Sequence, residues 1–273
     1  MSDGSRYLFG IIKKEQARSL SIKIAITVAS LVVFIIVWWL IALQLDLAYV
    51  PTPDKVFAAF IDSFQTPDIV LGTTMWDNIG ASLERFAIGF ALAFLLALPI
   101  GLLMGYFHFA DMFLMPLVEI FRPIPPIAWV PVFLLIFSVF WGPVMVILIG
   151  VFFPLLSNVI FGVRSVDKSL IDAAKTMGAK RTQMFSKVIL PYTVPYLMTG
   201  ITIGLGIGWM CIVAAEMIGA VGGGVGYYIQ YTENIGKFDY MYAGMAVIAI
   251  LGILTVGVSR IVEKQLNRRM GIK

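Results

Sequence analysis

The chain contains 273 residues, of which 60% are hydrophobic and 13% are charged, and its formal net charge is +4. Soluble domains carry about 25% charged residues, so this composition excludes an ordinary soluble protein and indicates an integral membrane protein. A single cysteine and a single histidine exclude a disulfide framework and a metal cluster built on histidines.

The amino-terminal part predicts a basic segment followed by one membrane span. Residues 1–23 are polar and basic, and no small-residue cleavage site of a secretory signal follows the first apolar run. Their apolar side chains fit a helix lying on the membrane surface, and a frayed tail fits equally well. Residues 24–45 are apolar over the length of about 20 residues that a spanning helix needs.

The next segment, residues 46–78, is rich in aspartate and holds one lysine, Lys55. Pro53 after Thr52 predicts a helix start, because proline is favoured at the first helical position. Four apolar residues then follow with helical spacing: Phe57, Phe60, Ile61 and Phe64. They predict a short helix that either faces the interface or a partner, or simply packs on the ends of the spans.

Further spans are predicted at residues 80–107, 143–163, 195–220 and 240–262. The first of these carries Gly101 and Gly105, and small residues four apart allow membrane helices to approach closely. The span 195–220 repeats this spacing at three glycines: Gly200, Gly204 and Gly208.

Residues 112–140 are apolar but contain five prolines: Pro116, Pro123, Pro125, Pro126 and Pro131. So many prolines exclude one straight helix. Either a kinked span begins near Met112, or an interfacial segment leads into a shorter span over residues 127–140. Counted with this region, the chain has six predicted spans.

The distribution of lysine and arginine predicts the orientation of these spans. Five of the 20 lie before residue 24, six lie in residues 164–187, and five lie in residues 260–273. We therefore expect both termini and the 164–187 loop in the cytoplasm, and we attribute the net charge to membrane topology rather than to nucleic-acid binding.

The polar run 164–195 predicts two short helices. Asp167 is a suitable cap for the first, and Gly178 is expected to end it. Four residues of the first helix share one face: Leu170, Ala173, Ala174 and Met177. The second is expected to begin at Lys180 and Arg181 and to end at Pro191. Because so short a pair is unstable alone, its apolar face should dock on another surface.

This run resembles the EAA loop of ABC importer permeases, which reads E-A-A-x3-G-x9-I-x-L-P. The chain has Asp172-Ala173-Ala174, then Gly178, then Val188-Ile189-Leu190-Pro191, and so departs by Asp for Glu and Val for Ile. The string Arg122-Pro123-Ile124-Pro125-Pro126-Ile127-Ala128-Trp129-Val130-Pro131 resembles the nitrate/sulfonate/bicarbonate branch of these permeases. The resemblance covers roughly residues 75–265.

The resemblance implies an all-α integral membrane protein, with six transmembrane helices and the type I ABC importer (MetI-like) permease core, working as a homodimer. We expect a cytoplasmic or interfacial segment 1–23, a six-helix permease domain 24–263 with its core at about 75–263 and a coupling loop at 164–195, and a basic cytoplasmic tail 264–273. The resemblance also implies two cytoplasmic ATPase subunits that bind ATP and Mg, an external substrate-binding protein, and a prokaryotic inner-membrane location. Small oxyanions and related solutes, such as nitrate, taurine, other alkanesulfonates or bicarbonate, would be the substrates. ATPase coupling would fall on Asp172, Ala173, Ala174, Met177, Gly178, Leu190 and Pro191.

Ionisable groups within spans are functional candidates by default. Glu216 lies seven residues after Trp209 and shares its helix face, which the resemblance makes a path-lining face. Glu216 either helps to form a gate or anchors an arginine such as Arg85. The alternative is a purely structural ion pair or an interfacial glutamate near the outer end of the span. Arg122 could attract an oxyanion, but Glu119 could neutralise it within one helix.

The sequence contains no phosphate-binding loop of the G-x-x-x-x-G-K-[ST] type and none of the usual hydrolase or metal motifs. We therefore expect a non-catalytic subunit without a cofactor or metal of its own. A gradient-driven secondary transporter or channel is the alternative function, since broken helices within the membrane would suit it.

Overall fold

The computed structural model describes residues 3–45, 47–68, 72–219 and 222–269. Within these ranges the ordered elements are helical, which confirms the all-α prediction. Their bounds are α1 Asp3–Leu45, α2 Pro53–Gln65, α3 Met75–Tyr106, α4 His108–Phe121, a 3₁₀ turn Pro126–Trp129, α5 Val130–Arg164, α6 Lys168–Thr176, α7 Arg181–Met184, a π-helical turn Phe185–Ile189, α8 Leu190–Gly219, α9 Val225–Asn234 and α10 Phe238–Arg269.

The chain forms two compact units, divided in the sequence between Ala59 and Phe60. In the first unit, α1 is one helix from Asp3 to Leu45, so the basic segment and the first predicted span are joined without a break. The candidate functional residues all belong to the second unit.

Five helical stretches of the described residues have the length and apolar composition to cross a membrane. They are Ile22–Leu45, Met75–Tyr106, Pro126–Arg164, Arg181–Gly219 and Phe238–Arg268. The predicted spans at 24–45, 80–107, 143–163, 195–220 and 240–262 each fall largely within one of them.

The proline-rich region takes a different form from one continuous span. Helix α4 has 14 residues and is about 21 Å long, which is shorter than the hydrocarbon core of a bilayer, about 30 Å. Ser138, with φ 72° and ψ 173°, interrupts the helical geometry of α5. A Cβ on Gly142 would lie 3.2 Å from the Cα of Leu134, whereas eight residues of a straight helix span about 12 Å. The chain therefore folds back at Ser138.

The core of the second unit is the packing of α5 against α3 and α8, and glycines bring these helices close together. A Cβ on Gly101 would lie 2.8 Å from the Cβ of Val159, and one on Gly105 would lie 2.6 Å from the Cβ of Val163. The predicted role of this glycine pair in helix packing is thus confirmed. The three glycines of α8 approach α3 and α5 in the same way: Gly200, Gly204 and Gly208.

The predicted end of the second polar helix at Pro191 is wrong. Helix α7, the π-helical turn and α8 follow one another without a gap from Arg181 to Gly219, so the fifth span also begins well before Pro195. Within the turn, the N–H of Leu190 donates to the carbonyl of Phe185, five residues earlier. Such a turn lets a helix accommodate a residue that, like proline, has no N–H to donate.

Candidate functional site: the coupling segment and the buried ion pair

Helix α6 begins at Asp167, as predicted. The backbone N–H of Ser169 donates to Oδ1 of Asp167 at 2.9 Å, which satisfies one of the free donors at the helix start. This hydrogen bond holds the pKa of Asp167 below its usual value. The sequence therefore fixes the first residue of the helix locally.

Helix α6 ends at Gly178, also as predicted. Gly178 has φ +76°, its N–H donates to the carbonyl of Lys175 at 2.9 Å, and the N–H of Ala179 donates to that of Ala174 at 3.0 Å. These two bonds form a Schellman motif, whose left-handed residue is usually glycine. A Cβ on Gly178 would meet no atom within 4 Å among the described residues, so the backbone conformation alone calls for glycine.

The apolar face of α6 is divided between the protein and the surface. Ile171 packs with the buried Val163, Val166 and Ile189 and so attaches the helix to the ends of the spans. Met177 is 82% exposed, and Leu170 is 46% exposed.

The polar and small residues of α6 are also at the surface. Ala173 is exposed and Ala174 half-buried. Asp172 makes an exposed ion pair with Lys175 at 3.2 Å. Together with Leu170 and Met177, these side chains leave α6 with an uncovered, partly apolar surface.

Leu190 and Pro191 lie in the first turn of α8, after the π-helical turn. Both are exposed, whereas the preceding Ile189 is buried. The closing Leu-Pro of the motif is therefore not the end of a helix. It marks the place where the polar run 164–195, which we call the coupling segment, continues into the fifth span.

At the other end of α8 the structure brings together Glu216 and Arg85, the pair that the sequence suggested. Nη1 of Arg85 lies 2.8 Å from Oε1 of Glu216, and the side chains are 4% and 0% exposed. Arg85 lies on α3, 131 residues away in the chain. An ion pair so deeply buried requires further hydrogen bonds to offset its desolvation.

The structure supplies these bonds from α3 and from the glycine-rich segment before α9. Ser82 donates to Oε2 of Glu216 at 2.8 Å, and the N–H of Gly226 donates to the same oxygen at 3.0 Å. Arg85 donates to the carbonyl of Gly223 at 2.7 Å. We call Asn78, Ser82, Arg85, Glu216 and the backbone of residues 222–226 the ion-pair network.

Asn78 and Ser82 were missed by the sequence analysis. Oδ1 of Asn78 accepts from the N–H of Gly224 at 3.0 Å, and Oγ of Ser82 accepts from the N–H of Val225 at 2.9 Å. Their spacing with Arg85 on α3 is the signal that could have found them, because residues 78, 82 and 85 recur with helical periodicity.

Trp209 and Glu216 share a side of α8, as predicted, but that side faces the protein interior. Trp209 is 3% exposed, stacks on Phe86 with ring centroids 4.6 Å apart, and donates from Nε1 to Thr255 at 2.9 Å. In the single chain neither side chain lines an open path.

Arg122 lies at the surface in the turn that follows α4. The expected ion pair with Glu119 is not formed: among the described residues, no acidic oxygen lies within 4.0 Å of the Arg122 guanidinium. A different pair, Arg164 with Asp111 at 2.5 Å, connects the end of α5 with the start of α4.

The described residues contain no group of three or more histidine, cysteine, aspartate or glutamate side chains arranged to hold a metal ion.

Comparison with known proteins adds to this geometry. The family model "Binding-protein-dependent transport system inner membrane component" matches residues 97–272. A putative ABC transporter permease protein of Methanocaldococcus jannaschii is 37% identical over 248 residues, which is 90% of both chains. The taurine transport system permease protein TauC of Escherichia coli is 34% identical over 86% of both chains. A chain of the MetNI methionine ABC transporter, solved in inward-facing conformations, has a similar fold with a TM-score of 0.61 at 21% identity, covering 70% of this chain and 97% of that one.

Proposed function

The chain belongs to the family of binding-protein-dependent transport system inner membrane components, and from this premise we propose that it is the translocation subunit of an ATP-driven importer of a small oxyanion or sulfonate. It works through α6, which contacts a cytoplasmic ATPase subunit. ATP and Mg are bound by that partner, and the chain itself is non-catalytic.

The observation that carries this proposal is the uncovered surface of α6. Leu170 and Met177 are exposed on a capped helix whose opposite side, through Ile171, is packed on the spans. A fixed helix with exposed apolar side chains is suited to insertion into a groove on another protein. An exposed methionine in the last turn is unfavourable in a loop that only contacts water, so its presence favours a contact with another protein.

The substrate class follows from relatives and from the resemblance of the Arg122–Pro131 string. The taurine permease of Escherichia coli is similar over 86% of this chain, which supports a small sulfonate or a related oxyanion such as nitrate. The separate binding protein is expected to supply most of the selectivity, because Arg85, which could otherwise attract an anion, is paired with Glu216.

The assembly we propose has two copies of this chain, two ATPase subunits and one external binding protein. Both termini and α6 face the cytoplasm, in agreement with the lysine and arginine distribution. Closure of the ATPases on ATP moves α6, and the helical run from Arg181 to Gly219 carries that movement across the membrane. The two halves of the dimer then alternate between inward and outward access.

Purification of the tagged chain from its native membrane, followed by mass spectrometry and an ATPase assay, tests this function. We expect a phosphate-loop ATPase to copurify with the wild-type chain. Ala173→Trp should abolish the copurification, because Ala173 is exposed on α6 and the larger ring blocks a close approach. Asn234→Trp is the matched control, since Asn234 is an exposed residue at the end of α9, remote from α6.

The contrary result is equally clear. A chain that purifies without an ATPase and moves solute into liposomes without ATP would contradict the proposal and favour a gradient-driven transporter.

A further inference from the structure

A small polar cavity lies at the end of the second unit that is remote from α6. Its volume is about 130 Å³, and it is enclosed by the end of α2, the residues that follow it, α9 and the start of α10. The side chains that matter to the argument are Asp62, Asp68, Tyr228, Lys237 and Tyr240. Neither the coupling segment nor the ion-pair network contributes to it.

The charge of this cavity is negative. Asp62 and Asp68 supply two carboxylates, while Lys237 is the one cation of its lining. The Lys237 ammonium lies 5.0 Å from the centre of the Tyr240 ring, and among the described residues no cation lies within 4.0 Å of the Asp62 carboxylate. The cavity thus carries a net charge of about one negative unit at neutral pH.

Asp62 is held in place but retains capacity to accept hydrogen bonds. Oδ2 accepts from the hydroxyl of Tyr240 at 2.6 Å, and Oδ1 accepts from Thr66 at 2.8 Å. An ionised carboxylate has about four lone-pair sites. About two sites on Asp62 are therefore available to a ligand without loss of the existing bonds.

Tyr228 is the second, independent observation. It is 3% exposed and belongs to the apolar cluster under α9, yet it also lines the cavity. Among the described residues its hydroxyl makes no hydrogen bond, and the oxygen is not one of the fully buried polar atoms without a partner, so it is accessible from the cavity. A hydroxyl in this position is an acceptor and a donor that the chain itself does not use.

These features suit a cationic group with several donors. A guanidinium or ammonium group can donate to Asp62 and Tyr228 together, and the Tyr228 and Tyr240 rings give it aromatic neighbours. A bare metal ion suits the cavity less well, because the described residues include no group of three metal ligands. The cavity rim is exposed at Thr66, Pro67 and Lys237, so a side chain on another protein can enter from outside.

We propose that this cavity, with Asp62 and Tyr228 as its recognition groups, receives a lysine or arginine side chain of the external binding protein when that protein docks. The inference rests on the proposed function, which places this end of the bundle outside the membrane. It adds the chemistry of the docking contact, and it gives the polar segment between the first two spans a role in that contact.

The test measures the affinity of the copurified binding protein for the full transporter complex in lipid nanodiscs. Asp62→Asn removes one charge while keeping an acceptor, and we expect about a tenfold loss of affinity, mainly through faster dissociation. Tyr228→Phe removes only the hydroxyl that the chain does not use, so the fold is preserved, and we expect a loss of about threefold to fivefold. Glu233→Gln is the matched control: it removes an exposed carboxylate from α9, to which, among the described side chains, Gln230 donates at 3.0 Å, and it should leave affinity unchanged.

Each other outcome overturns the inference. An equal loss in Asp62→Asn and Glu233→Gln, with no loss in Tyr228→Phe, would mean that only long-range charge matters. No loss in either Tyr228→Phe or Asp62→Asn would mean that the cavity is not contacted. If methylguanidinium raised the melting temperature of the wild-type complex but not of Asp62→Asn, while docking was unchanged, the cavity would take a free cation instead. Failure of the wild-type complex to bind any external protein would contradict the proposed function as well, which separates the two failures.

Discussion

A Cβ atom on Gly224 would lie 2.5 Å from the carboxylate carbon of Glu216. The backbone before α9 therefore lies so close to this carboxylate that a residue with a side chain at position 224 would clash with it. Gly224 also has φ +129° and ψ 155°, a conformation that is almost restricted to glycine. The glycine-rich segment before α9 is therefore part of the ion-pair network and not only a connecting turn.

Gly224→Ala is expected to destabilise the protein by more than the cost of the backbone strain alone, about 1–3 kcal/mol, because the added methyl group also displaces Glu216. Thermal unfolding of the purified protein in detergent measures this loss. Gly222→Ala is the matched control, since its Cβ would meet only Arg85 Nη2 at 3.6 Å. Equal stability of the two variants would contradict the fitted arrangement.

Removing either charge of the buried Arg85–Glu216 pair should lower the free energy of unfolding. Arg85→Met or Glu216→Gln leaves a buried partner without its opposite charge, for which about 3–5 kcal/mol is typical. The double variant should lose clearly less than the sum of the two, because neither charge is then left alone. Arg164→Met is the control: its partly exposed pair with Asp111 (side chains 43% and 16% exposed) should contribute about 1 kcal/mol or less. Additive losses at 85 and 216 would show that the two side chains act independently.

The effect of a substitution at Gly178 on transport should depend on whether the new residue tolerates a left-handed backbone, and not on the size of its side chain. No described atom lies within 4 Å of a Cβ at this position, so Gly178→Asn, which tolerates a left-handed conformation, should preserve coupling. Gly178→Val should uncouple ATP hydrolysis from uptake, because a β-branched residue opposes φ +76°. ATPase stimulation and uptake in proteoliposomes measure both. Normal uptake by the valine variant would contradict the role of the cap.

Met177 is exposed and should contribute to assembly rather than to the stability of the chain. Met177→Glu is expected to leave the melting temperature unchanged and to weaken ATPase binding by about 2 kcal/mol or more, as for a central interface residue. Lys175→Gln, which removes only the exposed pair with Asp172, should change binding little. Copurification yield and an ATPase binding titration distinguish the two variants. Binding lost equally in both would point to charge rather than to the apolar side chain.

The hydrogen bond from Tyr240 is the largest cause that lowers the pKa of Asp62, followed by the bond from Thr66. A lowered folded-state pKa contributes stability that is complete above the ordinary aspartate pKa of about 3.9 and is lost as the pH falls through the lowered value. Tyr240→Phe should therefore be less stable than the wild type above about pH 4 and approach it at lower pH. Melting temperatures between pH 3 and pH 6 measure this, with Tyr227→Phe as the control. A difference that is independent of pH would contradict the assignment.

The features that the sequence predicted well are those set by near neighbours in the chain. Asp167 and Gly178 bound α6 because a cap and a left-handed terminus depend on residues within one turn. Gly101 and Gly105 were recognised as contact residues because their spacing alone places them on one helix face. Membrane spans were found because about 20 apolar residues in succession have few alternatives.

What the sequence did not predict depends on residues distant in the chain or on rare backbone geometry. Asn78 and Gly224 are 146 residues apart, so no local pattern connects them. Pro191 is a normal signal for a helix end, but the π-helical turn before it lets the helix continue. The fold at Ser138 places a serine at positive φ with extended ψ, a conformation that is nearly restricted to glycine. The surrounding prolines indicated only that some break exists.

One continuous helical run, from Arg181 to Gly219, connects the coupling segment with the ion-pair network. At about 1.5 Å per residue it is about 58 Å long, with the coupling segment at one end and the carboxylate of Glu216, which holds residues 222–226, near the other. The π-helical turn lies near its first end, and there the hydrogen bonding departs from the regular α pattern. In the proposed importer, a movement of the coupling segment therefore has to pass the five residues Phe185–Ile189 before it arrives at the glycine-rich segment.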